Sequence, residues 1–458
     1  MKDKALMNKL RVFWTNVKSS LWFVPTTIVI VAMALAVGLI ELSTLIDREL
    51  LLRYPRVFGV GADGSRGMLS AIAGSMITVA GLTFSLTIAA LAQASNQYTP
   101  RILRAFMRDR ANQFVLGVFV GIFAYCLIVL RTIRGGDEGG FVPSLAVLFG
   151  LLLALVSIGA LVFFIHHIAS SLQASSIVSN VAEETLEAIE RLFPQELGEA
   201  ADEGERQAAS ETAAHEDWRA VPSLNNGYIQ SVDTEELLAF ARTYGVIIRM
   251  ERGIGQFTVK GDALVSFAGA RRFDDKIVAQ LNDIYTINHF RTIEQDAPYG
   301  IRQIVDIALK ALSPGVNDTT TAIFCIDYLG AILAQLARRR ISAPYRTDGG
   351  KVRVITKSTN FTLLVATSFD QIRGSGAGNV AVMRRILGAI KIIARQTPNA
   401  GRREVLREQA QLVSTLADRT LEGAYEREQI KGRVIETLAA LETQRHDAAA
   451  VPVNRVRY

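Results

Sequence analysis

Long stretches of the first 180 residues carry no charge, and no other feature of the sequence restricts its fold as tightly. Between Lys18 and Glu41 lie 22 consecutive uncharged residues, between Arg66 and Arg101 there are 34, between Arg110 and Arg131 there are 20, and between Glu138 and Glu183 there are 44. A helix that crosses a hydrocarbon layer of about 30 Å needs about 20 mostly apolar residues, each rising ~1.5 Å. The windows 21–41, 69–93, 112–131 and 144–167 meet that requirement. A helix satisfies its own backbone groups, which lipid cannot do. Four membrane spans are expected. The first apolar run continues to Ile40, longer than the core of a signal peptide, so it reads as a retained span in spite of the small-residue pattern Ala34-Leu35-Ala36.

The basic residues set the expected orientation. Lys2, Lys4, Lys9, Arg11 and Lys18 precede the first span against a single Asp3, and Arg101, Arg104, Arg108 and Arg110 follow the second against Asp109. The first outer loop dissents mildly, with Arg48, Arg53, Arg56 and Arg66 beside Glu41, Asp47, Glu49 and Asp63. Both termini are expected in the cytoplasm. Composition agrees with a membrane chain: half of the 458 residues are hydrophobic and only 21% are charged, where a soluble chain carries about 25%. A disordered chain is excluded. Two cysteines, Cys126 and Cys325, build neither a disulfide framework nor a zinc site.

The sequence divides into a basic cytoplasmic N-terminus (1–20), a four-helix transmembrane domain whose last helix runs on into the cytoplasm (21–182), an acidic linker (183–219), a small strand–helix–strand–strand subdomain (220–270), a mainly helical cytoplasmic domain (271–446) and a tail (447–458). The expected fold class is therefore membrane α-helical, with a cytoplasmic α+β region rich in helices. The linker earns its description from twelve acidic residues between Glu183 and Asp217 against Arg191 and Arg206. In the small subdomain, 227–232 alternates as a strand, Asp233 with Glu236 forms a capping box for a helix to Tyr244, and 246–250 with 256–259 reads as a hairpin turned at Arg252-Gly253-Ile254-Gly255. Helices are expected near 273–290, 299–312 and 318–339, β-rich runs at 352–356 and 361–366, and helices from there to about 445.

Chemistry is sparse. In the second span Ser75, Thr78, Ser85, Gln93 and Asn96 fall near one face at helical spacing. Small hydroxylated residues let membrane helices approach closely. A weakly polar, uncharged stripe can equally line a hydrated path, with Arg101, Arg104, Arg108 and Arg110 at its cytoplasmic mouth drawing anions. Spacing leaves both readings open, and the arginines also serve topology and anionic lipid heads. No Asp, Glu, Lys or Arg sits deep in a span, which argues against a proton-coupled pump. Farther on, Ser313-Pro314-Gly315 and Asn317-Asp318 end one helix and start another, a turn where a helix N-terminus can hold an anion or simply connect two helices. The glycine-rich stretch 373–379 is neither a Walker loop nor a dinucleotide fingerprint. The five histidines lack metal spacing, and no Ser/His/Asp or Cys/His arrangement can be argued, so no metal, cofactor or enzymatic activity is expected. Basic residues are not interleaved with aromatics, and nucleic acid is not expected as a partner.

One set of blocks resembles a known family. Gly61-Ala62-Asp63-Gly64-Ser65-Arg66-Gly67 and Leu69-Ser70-Ala71-Ile72-Ala73-Gly74-Ser75-Met76 open the second span. Phe84-Ser85-Leu86 and Ser95-Asn96-Gln97-Tyr98-Thr99-Pro100-Arg101-Ile102-Leu103 close it, followed by Phe106 and Asp109. Together with Gly300-Ile301-Arg302, the run 308–318 and Asp327, they are similar to the bacterial predicted-membrane-protein family called domain of unknown function 2254, over nearly the whole chain. Thr319-Thr320 stands where that family has Pro-Phe or Pro-Tyr. The resemblance implies a bacterial inner-membrane protein with an N-terminal helical bundle and a cytoplasmic C-terminal half, and it brings no catalytic residue with it. The functional expectation is a self-associating, pore-like or channel-like protein in the lipid bilayer, passing a small ion or binding an anionic ligand. The alternative is a membrane-anchored regulatory or scaffold protein without transport.

Overall fold

The computed structural model describes residues 22–45, 61–97, 109–135, 141–193, 218–268, 274–339, 341, 345–348, 351–357 and 359–449. It divides into two compact units, 1–176 and 177–458.

Among the described residues the first unit is a bundle of four helices: α1 (Phe23–Leu45), α2 (Ala62–Gln97), α3 (Arg110–Thr132) and α4 (Ser144–Ser171). Its centre is α3, whose Val115, Phe119, Ile122, Tyr125, Cys126 and Val129 are all buried. Gly117 lets α1 close on α3, because a Cβ there would lie 2.7 Å from Ile28 Cδ1 and 2.9 Å from the Pro25 Cα. The Tyr125 hydroxyl donates to the Ala146 carbonyl at 2.7 Å, which ties α3 to α4 inside an apolar core. At 23 residues α1 and α3 are each about 35 Å long, whereas α2, at 36, reaches about 54 Å.

In the second unit α5 (Ala174–Leu192) precedes β1 (Trp218–Pro222), β2 (Gly227–Val232), α6 (Thr234–Tyr244), β3 (Ile247–Met250), β4 (Phe257–Thr258), β5 (Ala263–Ala268), α7 (Asp275–Asp283) and β6 (Tyr285–Asn288). Then come α8 (Ala297–Ala311), α9 (Thr319–Arg338), β7 (Tyr345–Asp348), β8 (Lys351–Ile355), α10 (Phe361–Ser375), α11 (Val380–Arg395), α12 (Ala400–Thr420) and α13 (Ala424–Ala449). A five-stranded sheet has the order β1-β5-β3-β8-β7, and a three-stranded sheet the order β4-β2-β6. Asp233 caps α6 by accepting from the Glu236 N–H, Gly245 ends it in the left-handed region, and Leu237, Phe240 and Ala241 bury against Ile248, Val265, Phe267 and Val354.

Several expectations are corrected here. The hairpin across 252–255 does not form: β3 pairs with β5 and, in parallel, with β8, while β4 pairs with β2. The reason is alternation, since Ile248 and Met250 face the core of one sheet while Gly227↔Thr258 pairing carries β4 to the other. The helix expected over 273–290 stops at Asp283, and the chain extends into β6, whose Tyr285 and Ile287 pair with Val232 and Ile229. The run 361–366 is the start of α10 and not a strand. Asn360 accepts from the Leu363 N–H, and Phe361, Leu364, Val365, Ser368 and Phe369 bury at steps of three and four, which overrides the β-branched letters. Among the described residues, five helices are long and apolar enough to cross a membrane, the four of the first unit and α9. The fifth escaped the charge-gap reading because Asp327 interrupts it. That carboxylate pairs with Arg385 of α11.

Arg402, in the first turn of α12, holds the far end of α9. One guanidinium nitrogen donates to the carbonyls of Leu336, Ala337 and Arg339 at 3.0, 3.1 and 3.0 Å, and the group lies 5.1 Å from the Phe361 ring centroid. Burial pulls its pKa below the usual arginine value. The Leu336 carbonyl also accepts from the Arg339 N–H at 3.1 Å, and the last carbonyls of a helix otherwise rely on partners from outside it. Replacing Arg402 by Met is expected to cost about 2–3 kcal/mol, read as a fall of several degrees in the thermal midpoint.

Candidate functional site

The candidate site is the outward face of α2. Leu69, Ala73, Met76, Ala80, Thr83, Ala90 and Ala94 turn into the bundle of their own chain. On the opposite side Gly67, Ala71, Gly74, Thr78, Gly81, Ser85, Ala89 and Ala92 follow at steps of three and four, and all are exposed. Around Gly74 and Gly81, beyond the backbone of α2 itself, no atom of the described residues lies within 4 Å of where a Cβ would stand. Leu82 lies beside this spine, and Ile77, Phe84, Leu86 and Ile88 are exposed on the same helix. The contrast with the other spans is one of size. α1 exposes Ile30, Val31, Leu35, Val37 and Leu42, and α4 exposes Leu151, Leu152, Leu155, Val156, Ile158, Val162, Phe163 and Ile165. Bulky aliphatic side chains suit lipid. A ridge of glycine, alanine and hydroxyl groups suits the close approach of another helix backbone.

Of the residues singled out in the sequence, Ser75, Thr78, Ser85 and Gln93 are brought together on this exposed side. The Ser75 hydroxyl donates to the Ala71 carbonyl and the Thr78 hydroxyl to the Gly74 carbonyl, both at 2.8 Å, so each presents its lone pairs outward with the proton already used. The Asn96 side chain and the residues Arg101, Arg104 and Arg108 lie outside the described residues; Arg110 is exposed in the first turn of α3.

The second candidate, the turn after α8, is a tight connection between helices. Pro314, Gly315 and Asn317 are exposed, the Ser313 hydroxyl donates to the Lys310 carbonyl at 2.6 Å, and Asn317 takes a left-handed φ of 48°. Asp318 caps α9, accepting from the Thr321 hydroxyl at 2.6 Å and the Thr321 N–H at 3.0 Å. Those bonds hold its carboxyl below the usual range. The helix end is already supplied with an anion of its own. The glycine-rich stretch 373–379 likewise joins α10 to α11, where Asn379 caps α11 and its amide donates to the Thr319 hydroxyl at 2.9 Å.

A family model described as "Predicted membrane protein (DUF2254)" matches residues 18–391, a span that takes in the bundle, the α2 blocks and both turns. The chain belongs to that family. Three mycobacterial relatives of the DUF2254 chain, two from strains of Mycobacterium tuberculosis and one from Mycobacterium bovis, are each named as an uncharacterized protein. Each is 30% identical over 454 residues, 96% of this chain and 84% of the relative. No solved structure matches.

In this DUF2254 protein the sequence reading missed one contact across the bundle. Asp109 accepts from the Ala111 N–H at 2.9 Å as the cap of α3, and its other oxygen lies 2.5 Å from His167 Nε2 near the end of α4. His167 stacks on Phe163. Ser171 Oγ is 3.4 Å from the same ring nitrogen and donates to the His167 carbonyl at 2.7 Å. A nucleophile relay needs both ring nitrogens, one for the carboxylate and one for the hydroxyl, and here one nitrogen faces both. The group is an interhelical tie. A histidine 58 residues from its partner leaves no local spacing by which sequence reading finds it.

Proposed function

We propose that the protein is a homo-oligomeric, channel-like protein of the bacterial inner membrane. It crosses four times with both termini in the cytoplasm, and α2 of each copy faces a shared axis. The observation that carries this reading is the outward ridge of α2: the weakly polar, small-residue face points away from its own chain's core, so another copy must supply any wall opposite it. Ser75, Thr78, Ser85 and Gln93 would then line the path, without a buried charge to bind and hold an ion. α9 is assigned to the aqueous side, because Asp327 is ion-paired with Arg385 and its Cys325, Ile326, Leu329 and Leu333 are consumed by packing against other helices of its unit. The orientation rests on the basic N-terminus and the 101–110 cluster.

A second reading, a membrane-anchored regulatory protein with no path, draws on the two hydroxyls that spend their protons on their own helix. Planar-bilayer recording of the purified protein separates the two. The channel reading expects discrete conductance that changes size or ion preference when Ser85 becomes Leu. Silence under varied voltage, tension and pH would leave the regulatory reading standing.

A further inference from the structure

A double loop at one end of the three-stranded sheet presents apolar side chains to water. The pairings Gly227↔Thr258 and Tyr228↔Phe257 bring the loop before β2 beside the loop after β4. Hydrogen bonds then knit the two loops together. The Ser223 N–H donates to the Asp262 carbonyl at 2.8 Å, the Gly261 N–H to the Ser223 carbonyl at 2.9 Å, and the Lys260 N–H to Asn226 Oδ1 at 2.7 Å. Gly261 turns the chain there with a φ of 95°, which a side chain would oppose. Alternation through β4 buries Thr258 and leaves Phe257 and Val259 outward. Phe257 is 49% exposed, Val259 47% and Leu224 43%, and the Tyr228 ring meets Phe257 in a T-shaped contact at 5.1 Å. Apolar side chains scattered singly over a surface are ordinary, but several on one rigid tip mark a contact surface.

We propose that this tip rests in the headgroup layer of an anionic lipid bilayer, with Leu224, Phe257 and Val259 at the apolar boundary and Lys260 on the phosphates. Charge favours lipid as the occupant. Within 222–230 and 256–262 the charged residues are Lys260, which is exposed, and Asp262, which Arg252 engages at 3.2 Å. One lysine is therefore left uncompensated in these segments, beside three apolar side chains and an aromatic pair. That is the composition which settles where hydrocarbon meets anionic headgroups. Tethering favours lipid as well. The chain belongs to a membrane-protein family, and its second unit begins at Ile177, close behind the end of α4 at Ser171. A surface joined to a membrane span meets lipid at a high effective concentration, so contacts too weak to recruit a soluble protein suffice. The inference rests on membrane anchorage and not on a conducting path.

A fluorescent probe at the tip of the full-length protein tests it. Cys126 and Cys325 are buried, so Val259→Cys supplies an accessible thiol for an NBD label. In nanodiscs of phosphatidylglycerol and phosphatidylcholine in equal parts, the label should emit to the blue of its position in water. Doxyl-phosphatidylcholine should quench it about threefold or more above a label placed by Thr243→Cys, an exposed position on α6. Lys260→Glu, and separately nanodiscs of phosphatidylcholine alone, should each cut the quenching at 259 by about half or more. A water-like label at 259 overturns the proposal. So does a blue-shifted label that doxyl lipid leaves unquenched, which would mean that a protein surface, such as a second copy of this chain, covers the tip. Equal quenching at 243 and 259 overturns it too, because lipid would then show no preference for the tip. Quenching that neither Lys260→Glu nor neutral lipid lowers overturns the claim on anionic lipid. Bilayer conductance plays no part in these outcomes, so failure of the channel reading is separable from failure of this one.

Discussion

Replacing Gly300 by Ala should destabilise the second unit by about 3 kcal/mol or more, and Val should do worse. Gly300 sits in the first turn of α8, where α5 crosses it. A Cβ there would overlap the Thr185 hydroxyl and come within 2.9 Å of the Thr185 Cβ. Thr185 has nowhere to go: it is fully buried, its hydroxyl donates to the Val181 carbonyl at 2.6 Å, and it lies on the face of α5 that also buries Val178, Val181, Ala182 and Ile189. Rotating the side chain would strand that hydroxyl, so the helices must part, and separated helices lose apolar contact along the whole crossing. The cause can be isolated. Thr185→Gly removes the atoms that collide, at a cost of a few tenths of a kcal/mol in helix propensity together with the packing lost from a buried side chain. In a double-mutant cycle on the thermal midpoint, Gly300→Ala should hurt far less in the Thr185→Gly background, with a coupling of about 1.5 kcal/mol or more. Simple additivity would show that the crossing tolerates a methyl group.

The same stretch shows what could be read from the letters. Pro298 in the first turn of α8, the Asp318 cap and the break at 313–317 are local matters of backbone chemistry, and the sequence reading placed those helix ends within a residue or two. The four bundle helices were legible for the same reason, since one charge in a span is costly and its absence over 20 residues is visible in one dimension. What Gly300 is for was not legible, because Thr185 lies over a hundred residues away and close approach leaves no periodic trace. The sheets failed similarly. β3 needed β8, from 351–355, and the reading matched it to its nearest β-like neighbour in sequence. On α2 the periodicity identified a small-residue stripe but carried no sign of direction. Spacing is identical whether Gly74 and Ser85 turn into the bundle or away from it, and only the packing of Leu69, Ala73 and Met76 settles which.

That outward direction makes the sharpest prediction about assembly. Under the proposed assembly, Gly74→Leu together with Gly81→Leu should leave the single chain intact and abolish self-association. Within one copy, beyond the backbone of α2 itself, neither position has an atom of the described residues within 4 Å of the new Cβ, and leucine favours a helix over glycine by up to about 1 kcal/mol. Nothing in the bundle is disturbed, so the thermal midpoint should hold or rise. Between copies the two leucines replace a flat ridge with two side chains that forbid backbone contact. Overpacking at both sites should cost about 3 kcal/mol per interface, roughly a hundredfold in dissociation constant. Light scattering of the purified protein in detergent would register this as a fall in mass to one copy. Two controls fix the interpretation. Gly38→Leu on α1 and Gly159→Leu on α4 are equally open positions among bulky lipid-suited residues, and should alter neither mass nor stability. Gly117→Leu meets Ile28 and Pro25 inside the chain and should collapse the bundle itself. An oligomer that survives leucine at both 74 and 81 would mean that copies meet elsewhere, and no path could then run along α2.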